Sequence, residues 1–305
     1  MTGPAPATEQ VVLVTGGAGF VGSHLVRRLL RDNPDARVVS LDNYFTGTEK
    51  NHVDSPRAVY IHATTVDVEK VWANHGLPSP SVVYHLGEYS RIPQSFEDID
   101  ITWEYNLHGT KEVVKFAHAH KAKLVYAGSS SKFGNDGQDE HLNPYAWTKA
   151  KNVEYIRDFS TWFGLEYVIT YFYNVYGPGQ IREGRYATVI GIFEAAYERG
   201  EPLPVVEPGT QTRDFTHIDD IIDGIMICAA RGSGDGYLLG RGQERSILEV
   251  ASLFGTEVRM VPAASRPGER VRGQADTSKA GALGWQPKHT LDEYVANFLA
   301  ARPRG

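Results

Sequence analysis

The feature that most constrains this chain is the run Gly16-Gly17-Ala18-Gly19-Phe20-Val21-Gly22. It sits between an apolar run, VVLVT (11–15), and a segment of helical periodicity, VGSHLVRRLLRD (21–32). A strand that feeds a helix through such a loop leaves backbone N–H groups unobstructed at the helix N-terminus. Gly16 serves the tight turn, Gly19 the close approach and Gly22 the helix–strand contact. That arrangement suits a pyrophosphate. Asn33-Pro34 ends the helix, because proline lacks the next backbone donor. The second strand closes on Leu41-Asp42-Asn43. A carboxylate there accepts both hydroxyls of an adenine ribose and repels a 2′-phosphate, so the two signals predict a dinucleotide site that prefers NAD to NADP.

The pattern continues beyond this unit. Runs at 37–41, 58–61, 81–86, 123–127 and 166–172 are apolar nearly throughout, as strands covered on both faces are. Helix-length segments such as NLHGTKEVVKFAHAH (106–120) separate them. Alternation of this kind predicts an α/β fold, a right-handed, doubly wound parallel sheet of the Rossmann type. After about residue 174 the chain becomes turn-rich. The expected division is a dinucleotide-binding domain over 1–173 and a smaller C-terminal substrate-binding lobe over 174–305, with about 212–240 returning to the first domain; residues 1–10 read as a loose tail.

Composition narrows the function classes. With 37 acidic and 31 basic residues the formal charge is −6, which argues against nucleic acid or an anionic membrane as a partner held by bulk charge. No apolar stretch reaches the ~18–20 residues of a membrane span. The opening MTGPAPATEQ has neither the basic nor the apolar part of a secretory signal. The single cysteine, Cys228, lies in an apolar run and reads as a buried thiol of a cytoplasmic protein. His118 and His120 fall on a helix surface and read as solvated side chains, so no metal centre is expected.

With the glycine loop, Asp42, Asn106 and Tyr145-Ala146-Trp147-Thr148-Lys149 in view, the sequence resembles the extended short-chain dehydrogenase/reductases, and within them the NAD-dependent sugar-nucleotide epimerase/dehydratase branch. The resemblance runs over nearly the whole chain. It places Phe20, Val21, Asn43, Asp67, Val68, Leu86, Gly87 and Asn106 beside the cofactor. Tyr145 and Lys149 stand one helical turn apart on one face. The lysine ammonium is expected to stabilise the phenolate, so that Tyr145 acts as a base, and to hold the nicotinamide ribose. Ser129 matches the hydroxyl that shares a hydrogen bond with the substrate.

On the substrate side the resemblance implies that Asn174, Arg213, Arg266 and Glu269 contact the diphosphate, the sugar or the nucleotide ribose, since a guanidinium fork fits phosphate oxygens. Ser130 and Ser131 occupy the positions at which the 4,6-dehydratases carry Asp-Glu, and the uronic-acid decarboxylases keep a glutamate at the place of Ser131, which disfavours both reactions. Glu88 and Arg91 replace small residues after the fourth strand and Tyr171 replaces a frequent arginine. Arg91 is a candidate for a substrate carboxylate, with Arg182 and Arg185 as helpers; alternatively Glu88 and Arg91 pair with each other. Gly273 stands where a wall residue closes the hexose pocket. The expected function is that of an NDP-sugar epimerase, acting at C4 of a hexose, a uronic acid, an N-acetylhexosamine or a heptose. A ketosugar reductase or dehydrogenase, or a 4,6-dehydratase, is the alternative. A homodimer through helices near 100–120 and 145–163 is implied as well.

Overall fold

The computed structural model describes residues 10–133, 139–262 and 273–302, so Arg266 and Glu269 lie outside the described residues. The first half alternates strand and helix: β1 (Gln10–Thr15), α1 (Phe20–Asp32), β2 (Ala36–Asp42), β3 (Ala58–His62), α2 (Val68–Asn74), β4 (Val82–His85), α3 (Ile99–Thr102), α4 (Gly109–Ala119), β5 (Lys123–Ser129), α5 (Pro144–Phe163) and β6 (Tyr167–Phe172). The second half holds β7 (Val175–Tyr176), α6 (Val189–Glu198), β8 (Leu203–Val206), β9 (Thr212–Asp214), β10 (Thr216–His217), α7 (Ile218–Arg231), β11 (Gly234–Leu239), β12 (Glu244–Ser246), α8 (Ile247–Ser252), β13 (Val258–Val261), α9 (Ser278–Ala282) and α10 (Leu291–Ala300).

Seven strands form one sheet in the order β11-β6-β5-β4-β1-β2-β3, every neighbouring pair parallel. Its strands read as unbroken apolar runs because both faces are covered. On one face Val11, Leu13, Val39 and Leu124 pack with Trp72 of α2, Val113 and Phe116 of α4, and Ile156 of α5. On the other, Val12, Val14, Val38 and Val168 meet Leu25 and Leu29 of α1 and Ile221 and Ile225 of α7. A third core joins α6, α8 and α10 around Phe193, Phe254 and Phe298. Each large apolar side chain withdrawn from water here contributes ~1.5–3 kcal/mol.

The strand order reverses between β1 and β4. At that switch the loops after the two carboxyl ends splay apart and leave a crevice, the usual place for a ligand in an open α/β sheet. Between α3 and α4 the helix widens into a π turn over residues 103–108, a distortion that turns Asn106 into the core.

Candidate active site

A cavity of about 730 Å³ opens over the carboxyl ends of β1, β2, β4, β5 and β6 and runs on to Pro204, Val206 and Arg213 of the second half. That is within the size range of a small-molecule site. Its floor begins at the glycine loop. Gly16 has φ +72°, and a Cβ there would stand 2.8 Å from Gly87 Cα; at Gly22 a Cβ would fall 2.0 Å from Gly16 O. Side chains are therefore excluded by backbone contact at both positions. Helix α1 starts at Gly19 with no side-chain cap, so its first N–H groups lack a side-chain acceptor and face the cavity.

Asp42 closes the other side of this end. Only 7% exposed, it accepts from the N–H of Ala18 at 2.9 Å and of Tyr44 at 2.8 Å. Burial raises its pKa, and those N–H groups oppose the rise. The carboxylate retains acceptor capacity for a ligand hydroxyl, since its two oxygens offer about four lone-pair sites. Uncapped N–H donors behind a glycine turn, and a carboxylate one strand away, fit the pyrophosphate and ribose of a dinucleotide. Phe20, Val21, Asn43, Leu86 and Gly87 line the same stretch. Asp67 does not; it borders an adjoining depression shared with Asn43 and Tyr105. Two expectations need correction. Val68 has no exposed surface and packs in the core, while Asn106 is fully buried, its amide joined to the backbone of Tyr89 and to Thr148 Oγ1. Asn106 positions the chain after β4 and does not itself reach the cavity wall.

The chemical end is built on α5. Asn143 caps this helix by accepting from the N–H of Ala146 at 2.8 Å, and Pro144 supplies its first position. Tyr145 thus enters in the first turn and Lys149 one turn later, both lining the cavity. Ser129, at the end of β5, hydrogen-bonds to the Tyr145 hydroxyl and accepts from Ser131 Oγ at 2.9 Å. Burial pushes the Tyr145 phenol up to about 12; the Ser129 bond opposes this, Glu88 adds to it and Arg91 works against it.

Lys149 departs from the expectation. Its ammonium pairs with Glu88 Oε2 and also donates to Ala127 O, with the two side chains 7% and 2% exposed. Glu88 Oε1 meanwhile accepts from Asn152 at 2.8 Å, Thr110 at 2.9 Å and Tyr126 at 3.0 Å. Glu88 does not pair with Arg91. Arg91 donates to Tyr186 O and to Ser90. The partners of Glu88 escaped sequence reasoning, although Asn152 follows Lys149 by three residues and so shares its helix face. Behind them His85, fully buried, joins Thr15 Oγ1 (2.7 Å) to Thr110 Oγ1 (2.9 Å).

Toward the second half the cavity is lined by Ser130, Ser131, Asn174, Arg185 and Arg213, as well as by Gln94 and Gln211, which the sequence did not single out. The side-chain oxygens of both glutamines are buried without a partner among the described residues. Arg185 sits at the rim, paired with Glu97 at 2.6 Å. Arg182 points away, to Glu198 at 2.5 Å, and Gly273 is absent from the wall among the described residues, its N–H donating to Glu244. Tyr171 is buried behind β5 and donates to Asp235 at 2.6 Å. Away from the cavity, His217, Asp219 and His289 come together, but the two rings stack at 4.5 Å and His217 Nδ1 already accepts from the Asp219 N–H.

The comparisons with known proteins agree with this geometry. The chain is 31% identical over 306 residues to a putative UDP-glucose 4-epimerase of Methanocaldococcus jannaschii, spanning 95% of this chain and 97% of that one. Other relatives carry the names UDP-glucuronic acid decarboxylase and dTDP-D-glucose 4,6-dehydratase. Among solved structures, the UDP-glucose 4-epimerase of Thermotoga maritima with UDP-glucose superposes with a TM-score of 0.87 at 25% identity, covering 95% of this chain and 98% of that one. The UDP-glucose 4-epimerase of Thermus thermophilus in complex with NAD gives 0.83 at 27%, covering 96% and 100%. That complex holds NAD and the matching family is NAD-dependent, so the cofactor of this chain is NAD; the glycine loop and Asp42 fit it. The family model for NAD-dependent epimerases and dehydratases matches residues 12–240, and the chain belongs to that family of enzymes.

Proposed function

We propose that this protein is an NDP-sugar 4-epimerase. The observation that carries the reading is the supply of carboxylates. Among the described residues the cavity is lined by only two, Asp42 and Glu88. Asp42 holds the glycine-loop end, and Glu88 is tied to Lys149, Thr110, Tyr126 and Asn152. Elimination of water from a sugar needs an acid and a base beside the ring. Ser130 and Ser131 offer hydroxyls instead, so redox chemistry at one carbon is what the site supports.

The steps assigned to the chain's own residues are few. Asp42, the uncapped N-terminus of α1 and the third N–H of Lys149 orient the dinucleotide, which supplies a reversible hydride acceptor when bound. Tyr145 takes the proton of the C4 hydroxyl while Ser129 shares its hydrogen bond, and the C4–H bond breaks in the same event. The resulting ketone turns in the cavity, and Tyr145 returns the proton as hydrogen is restored at C4 from the opposite face. Asn174, Arg213 and the amide groups of Gln94 and Gln211 hold the nucleotide sugar. The cofactor ends each cycle in its starting state, so it stays bound between turnovers.

A homodimer is part of the same reading. Trp162 and Phe163 at the end of α5 are 64% and 55% exposed, and light scattering is expected to give twice the monomer mass.

Incubation with UDP-, dTDP-, GDP- and ADP-hexoses, without added cofactor, tests the function. A C4 epimer appearing in the proton NMR spectrum is the expected result. A 4-keto-6-deoxy sugar, or turnover that stops without added NAD(H), overturns it.

A further inference from the structure

The cavity has walls from two parts of the chain. Phe45, Arg91 and Gln94 stand on the first half, and Gly184, Arg185 and Ala187 line it from the stretch between β7 and α6. Residues 184–187 form neither helix nor strand. Side chains of the first half hold their backbone instead: Gln94 donates to Arg185 O at 2.9 Å, and Arg91 donates to Tyr186 O at 3.0 Å.

Tyr186 adds a second kind of link. Its ring centre lies 5.4 Å from that of Phe45 and 6.4 Å from that of Tyr89, while Phe45 also meets Tyr89 at 5.8 Å and Tyr105 at 5.7 Å. Tilted and edge-on aromatic pairs contribute beyond the area they bury. The Tyr186 hydroxyl donates to Asp98 Oδ2 at 3.2 Å; the same oxygen accepts from the Tyr89 hydroxyl at 2.8 Å and pairs with Arg185 at 3.5 Å. The receiving post is well fixed. Tyr89 is 2% exposed, and the buried amide of Asn106 is bonded to both its N–H and its C=O. At the other end Gly184 has φ +80° and open space where a Cβ would stand, so the backbone is free to turn there. Tyr186 is not part of the cavity wall among the described residues, whereas both of its neighbours are. The bridge from Phe45 to Tyr186 therefore joins the wall beside Asp42 to the wall of the second half.

We propose that residues 184–187 are a strap across the dinucleotide path, latched by Tyr186 at Asp98 and Phe45, and that release of this latch sets the rate at which NAD enters and leaves. Tyr186 acts through the strap and is a positioning residue. A latch made alike with and without cofactor leaves affinity unchanged, because only a difference between the two states shifts binding. It slows entry and release by the same factor. A residue in contact with the cofactor behaves otherwise, since its loss speeds release and weakens binding together. The proposal rests on NAD binding and not on which sugar is turned over.

The test follows cofactor exchange. NAD-loaded protein is chased with excess isotope-labelled NAD to time release, and calorimetry gives Kd; neither measurement uses a sugar nucleotide. Tyr186→Phe keeps the ring and loses the bond to Asp98. It is expected to release NAD about tenfold faster, the usual worth of a hydrogen bond to a charged acceptor. Tyr186→Ala also loses the packing on Phe45 and Tyr89 and should release NAD ~100-fold faster or more. In both variants Kd should stay within about threefold of wild type. Tyr186→Phe decides the matter alone if the alanine variant does not fold. Unchanged release would overturn the strap. Release and Kd rising in proportion would make Tyr186 a contact of the cofactor and overturn it equally. Because no turnover is read, failure here is separable from failure of the epimerase reading.

Discussion

His85 is a test of how the buried network under the active site affects stability. The imidazole is fully buried between Thr15 and Thr110, and burial lowers its pKa from 6.5 to about 4. A histidine that refuses its proton when folded gives stability that is complete above the unfolded pKa. As pH falls below 6.5 the unfolded chain takes up a proton that the folded chain does not. The contribution is then lost at ~1.4 kcal/mol per pH unit, levelling off near pH 4. Between pH 7 and pH 5 that amounts to ~2 kcal/mol. His85→Gln keeps a donor for Thr110 and an acceptor for Thr15 but cannot titrate. Urea unfolding at the two pH values is expected to show the wild type losing ~2 kcal/mol more than the variant, the other titrating groups cancelling in the comparison. Equal losses in the two proteins would refute the reasoning.

Other outcomes follow from the same contacts. Asp42→Ala removes the acceptor of loop N–H groups and the carboxylate proposed to meet the ribose; calorimetry is expected to show NAD binding weakened far more than NADP binding. Tyr145→Phe should lower kcat by ~10²–10⁴ with sugar-nucleotide affinity nearly unchanged, and Ser129→Ala should cost less, because it removes a hydrogen bond and leaves the proton acceptor. Gly22→Ala would set a Cβ 2.0 Å from Gly16 O, so the loop must shift, and NAD affinity is expected to fall with a lower Tm.

Much of the fold is legible in the sequence because both faces of the sheet are covered. The apolar runs at 11–14, 37–41, 58–61, 123–127 and 166–172 coincide with β1, β2, β3, β5 and β6 to within a residue or two, and the helix after the glycine loop ends at Asp32, just before Asn33-Pro34. The seventh strand, β11, was harder to see. Its sequence GDGYLL begins with two glycines at positive φ and lies in turn-rich surroundings. The site divides in the same way. Gly16, Gly22, Asp42, Tyr145 and Lys149 are brought to the cavity by local geometry (a turn, a strand end, one helix face), which spacing can anticipate. Asn106 and Val68 sit at familiar spacings too, yet a π turn and core packing withdraw them from the cavity. The partner of Lys149 could not be read from spacing at all, because Glu88, Thr110, Tyr126 and Asn152 arrive from four separate segments. Arg182 shows the reverse, a cation near the site in sequence that folding turns toward α6.

The most direct test of the account follows hydrogen at one carbon. A nucleotide hexose deuterated at C4 is incubated with the protein in ordinary water, with no added cofactor, and the product is examined by NMR. Oxidation and reduction at the same carbon predict a C4 epimer that retains the deuterium at C4. Deuterium found at C6, or lost to solvent, would contradict epimerisation through a 4-keto sugar.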